Sequence, residues 1–143
     1  GTTAESLAKL KPVFDPEHGS TTAGNASQLT DGAAAVLLMT REEAEKRHLH
    51  ILGVWRSFVV KGVPPSIMGI GPAVAIPPAC AKAGVKVDDI DIFEINEAFA
   101  SQASWCIDEL NIPMEKVNPN GGAIALGHPL GATGTRANSH AAS

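Results

Sequence analysis

The chain has 143 residues, 44% of them hydrophobic and 18% charged, which is the make-up of one ordinary globular domain rather than a disordered segment. A formal net charge of −4 argues against a nucleic-acid partner, which would want a basic face. No apolar run approaches the ~20 residues of a membrane span. Two cysteines, Cys80 and Cys106, are too few for a disulfide framework, so an intracellular protein is expected. The sequence opens on Gly1 with no secretory leader, and residues missing upstream are expected.

Residues 1–24 carry Pro12, Pro16, Gly19 and a Ser-Thr-Thr cluster, and read as loop with a short strand near Val13 and Phe14. Asp31-Gly32 punctuates the start of residues 33–39, an unbroken apolar run that fits a strand covered on both faces. Thr40 with Glu43 three residues later is a capping box that opens a short helix to about His48. Residues 51–60, rich in Val, Ile, Trp and Phe, predict the next strand, and residues 61–71 a loop. Pro72 suits a first helical turn, residues 73–83 read as helix, and Gly84 closes it. Pro77-Pro78 inside that stretch predict a kink or a late start.

Residues 90–95 alternate acids with Ile and Phe and predict a strand. From Glu97 the period changes: Phe99, Ala103, Cys106, Ile107 and Leu110 share one helical face, and Pro113 bars continuation. Asn96 therefore stands where a strand hands over to a helix. A strand at 116–118 and a helix from Pro129 repeat the arrangement, with His128 at the second junction. Two such junctions converging on one site make an α/β pattern, a sheet between helices.

The run 118–136 holds five glycines, at 121, 122, 127, 131 and 134, around His128-Pro129. Taken alone it is a glycine-rich turn with a solvated histidine. An imidazole there also fits either a general base or a hydrogen-bond donor to an oxyanion. Asn96 alone reads as a helix-cap asparagine, Phe99 as core, Ser27 as a loop serine and Met68 as a gap-filling methionine. Cys106 lies on the apolar helix face and Cys80 among small residues, so both read as inert buried thiols. Residues 127–134 lack the Lys-Ser/Thr pair of a phosphate loop, Gly69-Ile70-Gly71 lacks the third glycine of a dinucleotide fingerprint, and no zinc-ligand spacing occurs.

The run Asn-Pro-Asn-Gly-Gly-Ala-Ile-Ala-Leu-Gly-His-Pro-Leu-Gly-Ala-Thr-Gly from Asn118 resembles the Asn-x-x-Gly-Gly…Gly-His-Pro-x-Gly-x-x-Gly motif of thiolases. Asn-Glu-Ala-Phe-Ala from Asn96 resembles the family's other active-site motif, upstream as it should be. The resemblance implies the layered α-β-α-β-α thiolase fold, here incomplete. Residues 1–28 would be the end of the loop domain, 29–50 the last strand and helix of the N-terminal half, and 51–143 a truncated C-terminal half.

It further implies thiolytic cleavage of 3-ketoacyl-CoA in fatty-acid β-oxidation. His128 would activate a cysteine nucleophile and contribute to an oxyanion hole. Asn96 would hold the water that completes the hole, while Ser27, Met68 and Phe99 would border the pantetheine arm. Coenzyme A is a substrate, and neither cofactor nor metal is implied. The implied partner is a second copy, in a homodimer, and the location peroxisomal, plant-type wording being nearest, with cytoplasm or mitochondrion as alternatives. The family's nucleophilic cysteine and its later Cys-x-Gly motif do not occur among these residues, and residues 137–143 depart from the family's amphipathic helix. The chain alone is therefore expected to be inactive. A biosynthetic acetoacetyl-CoA thiolase and a catalytically dead, truncated interaction partner are the alternatives.

Overall fold

A computed structural model describes residues 2–142. Its core is small: Phe93 and Ile95 on one segment pack with Ile107 and Ile112, and Ile76, Val87, Ile90, Leu110 and Val117 close around them. The described residues form six α-helices: α1 (Ala4–Leu7), α2 (Arg41–Lys46), α3 (Gly71–Ala83), α4 (Ala100–Glu109), α5 (Ala123–Leu126) and α6 (Thr133–Ala141). Short 3₁₀ turns occupy Pro65–Ile70, Val87–Asp89 and Met114–Lys116. No helix among the described residues is long and apolar enough to cross a membrane.

Local chemistry accounts for the helix ends. The Thr40 hydroxyl accepts the Glu43 amide at 3.3 Å, as the capping box predicts, and α2 follows. Residues 4–7, expected as loop, form α1 because Thr3 and Ser6 cap each other reciprocally, a serine standing in for the usual Glu or Gln. Gly84 ends α3 at φ 78°, as expected. His48 (φ 54°) and Asn111 (φ 52°) end α2 and α4 in the same left-handed way, with Leu49 N–H donating to Ala44 and Ile112 N–H to Ile107. Asparagine tolerates that conformation, and histidine adopts it more readily than a β-branched residue.

The prolines of α3 correct the expected late start. The helix begins at Gly71 with Pro72 in its first turn and runs through Pro77 and Pro78 to Ala83. Each interior proline costs roughly 3 kcal/mol in an isolated helix. Here α3 is held from outside, by packing on α4 and by Ile76 against the core.

The expected strands are the larger correction. Among the described residues pairing is limited to isolated bridges: Ala26 with Phe99, Leu29 with His128, and Phe93 with Val117. Phe93 N–H donates to Lys116 and Asn118 N–H to Phe93, so the segments 90–95 and 116–118 meet side by side, in parallel, without becoming a ladder. Val13 makes one backbone bond, to Thr21, and no strand. Residues 33–39 and 51–60 carry no regular secondary structure, and most of their apolar side chains are exposed, Leu37 at 79% and Val60 at 76%, with Ile51 and Val59 half-buried. A strand needs a backbone neighbour for its N–H and C=O groups, and these segments have none among the described residues, Lys82 Nζ meeting only the Phe58 carbonyl at 3.0 Å.

The last helix starts at Thr133, not Pro129. The Pro129 carbonyl is taken by the amides of both Ala132 and Thr133, which makes residues 129–132 a turn. Residues 137–141 stay helical despite their departure from the family pattern. The short α5 was hidden in the sequence by the glycines on either side of it.

Candidate active site

Two backbone junctions, far apart in sequence, are locked together before any reactive group is considered. Asn118 is buried, with φ 46°. Its side-chain oxygen accepts the Ile95 amide at 2.8 Å and its nitrogen donates to the Ile95 carbonyl at 2.9 Å, so one side chain imitates a strand partner. The same nitrogen donates to Glu97 Oε1 at 2.9 Å, and Glu97 Oε2 accepts the Ile124 amide at 3.2 Å at the start of α5. Gly122 leaves room for this carboxylate, since a Cβ there would fall onto it and make it shift.

A third segment stitches both junctions. Ala26 bridges Phe99, Ser27 N–H donates to the Ala98 carbonyl at 2.9 Å, and Ala100 N–H donates to Asn25 at 2.8 Å. Two residues on, Leu29 bridges His128, and the Thr30 hydroxyl accepts the His128 amide at 3.2 Å. Gly127, at φ 98°, lets Thr30 come this close, and Arg136 clamps the Gly127 carbonyl at 2.8 Å.

On this frame Asn96 and His128 face each other, both half-buried. Asn96 Nδ2 lies 3.4 Å from His128 Nε2, while His128 Nδ1 lies 2.7 Å from the Thr133 hydroxyl. The Asn96 side-chain oxygen is buried without a protein partner, which costs free energy unless water or a ligand meets it. Such a pair can take a proton at Nε2, return it, and order a small polar molecule at Asn96.

Of the other residues expected at the site, Ser27 and Phe99 come together across the Ala26–Phe99 bridge. Phe99 also takes the Phe14 ring edge-to-face at 5.3 Å between centroids. Met68 stands apart on the Pro65–Ile70 turn, 65% exposed. The cysteines are set away from this chemistry. Cys106 is fully buried and its thiol donates to the Gly69 carbonyl at 3.3 Å. Burial pushes the Cys106 thiol above the ordinary range, against a smaller opposing hydrogen bond at Ala73. Burial, with the Asp89 charge second, raises Cys80 too. Both are buried thiols, as their sequence positions predict.

Sequence reasoning missed Thr30, Glu97, Asn118 and Thr133 as parts of the frame. Asn118 and Glu97 stand inside the two motifs, so that signal was present. Nothing near Thr30 announces its partnership with a residue 98 positions later.

Comparison with known proteins bears directly on this arrangement. Residues 1–42 match the model "Thiolase, N-terminal domain" and residues 49–143 match "Thiolase, C-terminal domain". The chain belongs to the thiolase family. It is 70% identical over 135 residues to 3-ketoacyl-CoA thiolase B, peroxisomal, of Rattus norvegicus, covering 94% of this chain and 32% of that protein. It is 66% identical to 3-ketoacyl CoA thiolase 1, peroxisomal, of Petunia hybrida, over 94% of this chain and 29% of that one. The animal and plant thiolases thus resemble it alike.

The crystal structure of the dimeric peroxisomal thiolase of Saccharomyces cerevisiae superposes with a TM-score of 0.94 at 56% identity, covering 99% of this chain and 36% of that one. The fold is therefore the α/β thiolase fold, of which these residues form a part. The chain spans about a third of the length of the relatives it matches.

Proposed function

We propose that this chain carries the histidine–asparagine half of a thiolytic active site, acting on 3-ketoacyl-CoA and CoA in peroxisomal β-oxidation. The observation that carries the reading is the contact of Asn96 Nδ2 with His128 Nε2, beside an unpartnered buried Asn96 oxygen. The likeness to 3-ketoacyl-CoA thiolases of animals and plants supports the substrate class.

In the proposed reaction a cysteine thiol, supplied by polypeptide beyond these residues, gives its proton to His128 Nε2. The thiolate attacks the 3-keto carbonyl, and the new Nε2–H, with a water held by Asn96, donates to the oxyanion. Collapse of the tetrahedral adduct breaks the bond between C2 and C3. Acetyl-CoA leaves once its C2 carbanion takes a proton from the thiol of the family's second cysteine, also supplied by polypeptide beyond these residues, and the shortened acyl group stays on the first cysteine as a thioester. A second CoA thiol then gives its proton to the second cysteine's thiolate and attacks the thioester; the first cysteine leaves as thiolate and takes back the proton from His128 Nε2, so both cysteines are regenerated. Ser27, Phe99 and Met68 would line the pantetheine path, coenzyme A is a substrate, no further cofactor or metal is required, and the working assembly is a homodimer. Neither Cys80 nor Cys106 can replace the nucleophile, since both thiols are buried and raised.

The test is a chimera in which the 135 aligned residues of this chain replace their counterparts in the rat thiolase. It should cleave acetoacetyl-CoA and longer 3-ketoacyl-CoAs with added CoA, at rates within about tenfold of the parent for a well-matched interface. The 143-residue chain alone should give no turnover above the blank. In the chimera, His128→Ala should lower kcat by roughly 10³–10⁵ with little change in KM, since base and oxyanion donor are lost together and both act mainly in the transition state. A folded His128→Ala chimera with kcat within tenfold of its parent would refute the reading.

A further inference from the structure

The hydrogen bonds behind His128 decide which of its nitrogens is the base. Thr133 is buried at the first turn of α6, and its hydroxyl donates to the Pro129 carbonyl at 3.0 Å. A hydroxyl has a single proton, so toward His128 the Thr133 oxygen offers only lone pairs. With the hydroxyl proton on the Pro129 carbonyl, His128 Nδ1, 2.7 Å from that oxygen, is the donor of the bond. The opposite edge of the ring agrees. Asn96 presents its amide nitrogen, a donor, 3.4 Å from Nε2, which needs Nε2 to hold a lone pair.

We propose that Thr133 is a positioning residue that holds His128 as the Nδ1–H tautomer, leaving Nε2 the unprotonated nitrogen that faces Asn96. The chain Nδ1–H to Thr133 hydroxyl to Pro129 carbonyl is directional, because each member accepts from one side and donates to the next. Its end point is fixed: the Pro129 carbonyl also accepts the Thr133 and Ala132 amides, so it belongs to the turn that opens α6. The fold thus couples the start of a helix to the protonation pattern of a ring five residues earlier. The role in turnover rests on the thiolytic reading above, whereas the tautomer does not.

The inference separates three variants by two measurements. Magic-angle-spinning NMR of the 143-residue chain with ¹⁵N-labelled histidine reads the tautomer directly, His128→Ala identifying the His128 signals. At mildly alkaline pH, where an ordinary imidazole is neutral, His128 should show a pyrrole-type Nδ1 and a pyridine-type Nε2. Thr133→Ser should keep that pattern and Thr133→Val should give a mixture of tautomers.

In the chimera, Thr133→Val should lower kcat about tenfold, the scale of one hydrogen bond, with KM within about twofold, and Thr133→Ser should restore it. A pyridine-type Nδ1 in the unmutated chain, or a Thr133→Val variant with unchanged ring signals and unchanged kcat, would overturn the role of Thr133. Should His128→Ala keep the chimera's rate, the thiolytic reading fails instead, and the ring spectra still judge the tautomer on their own.

Discussion

The surroundings of His128 and the segments 33–39 and 51–60 are equally rich in sequence signal, and they meet opposite fates in the structure. Around His128 nearly every polar group is matched within the chain, by Thr30, Asn96, Thr133 and Arg136, and the clasp of Asn118 with Glu97 and Ile95 fixes the facing junction. In the two apolar segments the side chains that should form a core lie open, from Leu37 and Leu38 to Trp55, Phe58 and Val60. The difference lies in where the partners come from. The frame of the Asn96–His128 pair is closed by contacts between residues 25 and 136. The apolar segments are strands in composition whose neighbours are not among the described residues, and the chain spans only 36% of the yeast thiolase it superposes on.

That contrast predicts where substitutions hurt. Asn118→Ala should have the largest effect on stability, about 3 kcal/mol or more. It leaves the buried Ile95 amide and carbonyl unpaired and removes the donor to Glu97 Oε1, and each such buried group costs roughly 1–3 kcal/mol. Urea titration of the chimera and its Asn118→Ala variant checks this, and a difference below 1 kcal/mol would mean that the clasp is not a keystone. Gly122→Ala should cost less, about 1–3 kcal/mol as overpacking, since the Glu97 carboxylate can shift from the added Cβ. Pairing it with Glu97→Ala should recover most of the loss if that contact is the cause.

The buried thiols give a smaller, pH-dependent effect. Cys80 and Cys106 are both raised above the ordinary 9.0 by burial, so the folded state holds their protons more tightly than the unfolded state does. Their contribution is therefore present below pH 9.0 and is lost as pH rises through the folded values. Denaturation midpoints measured upward from that pH should fall less in a Cys80→Ala, Cys106→Ala double variant of the chimera than in its parent.

The smallest effect belongs to the open segments of the isolated chain. Leu37→Lys with Val60→Lys removes exposed apolar surface and should change folding stability by about 0.5 kcal/mol or less. The same pair should sharply reduce self-association, which unmodified segments of this kind promote. In the chimera the order reverses: if the rest of the polypeptide covers these segments, the lysines should cost several kcal/mol as buried charges. Equal cost in both settings would break the comparison.

Much of this was legible in the sequence, and the failures share a cause. Local signals held: Thr40 as a cap, Gly84 as a helix stop, Pro72 in a first turn, and one buried face for Ala103, Cys106 and Ile107. The two motifs indicated that Asn96 and His128 belong together, and the structure brings them into contact. What composition could not supply was the partner of a strand, so residues 33–39 and 51–60 have strand sequence without strand structure. Nor could periodicity show that packing on α4 carries α3 through two prolines, or that the Pro129 carbonyl closes a turn and delays α6 to Thr133. Non-local hydrogen bonds, such as Thr30 to His128, leave no trace in a single sequence.

The central claim is that the frame of the Asn96–His128 pair is made within this chain while the apolar segments are not. Amide hydrogen exchange on the isolated chain, carrying Leu37→Lys and Val60→Lys to keep it dispersed, tests that claim most directly. The account predicts slow exchange at Ser27, Phe93, Ile95, Ala100 and Asn118, whose amides have partners, and coil-like exchange throughout 33–39 and 51–60. Coil-like rates at Ile95 and Asn118 as well, indistinguishable from those of residues 51–60, would contradict it.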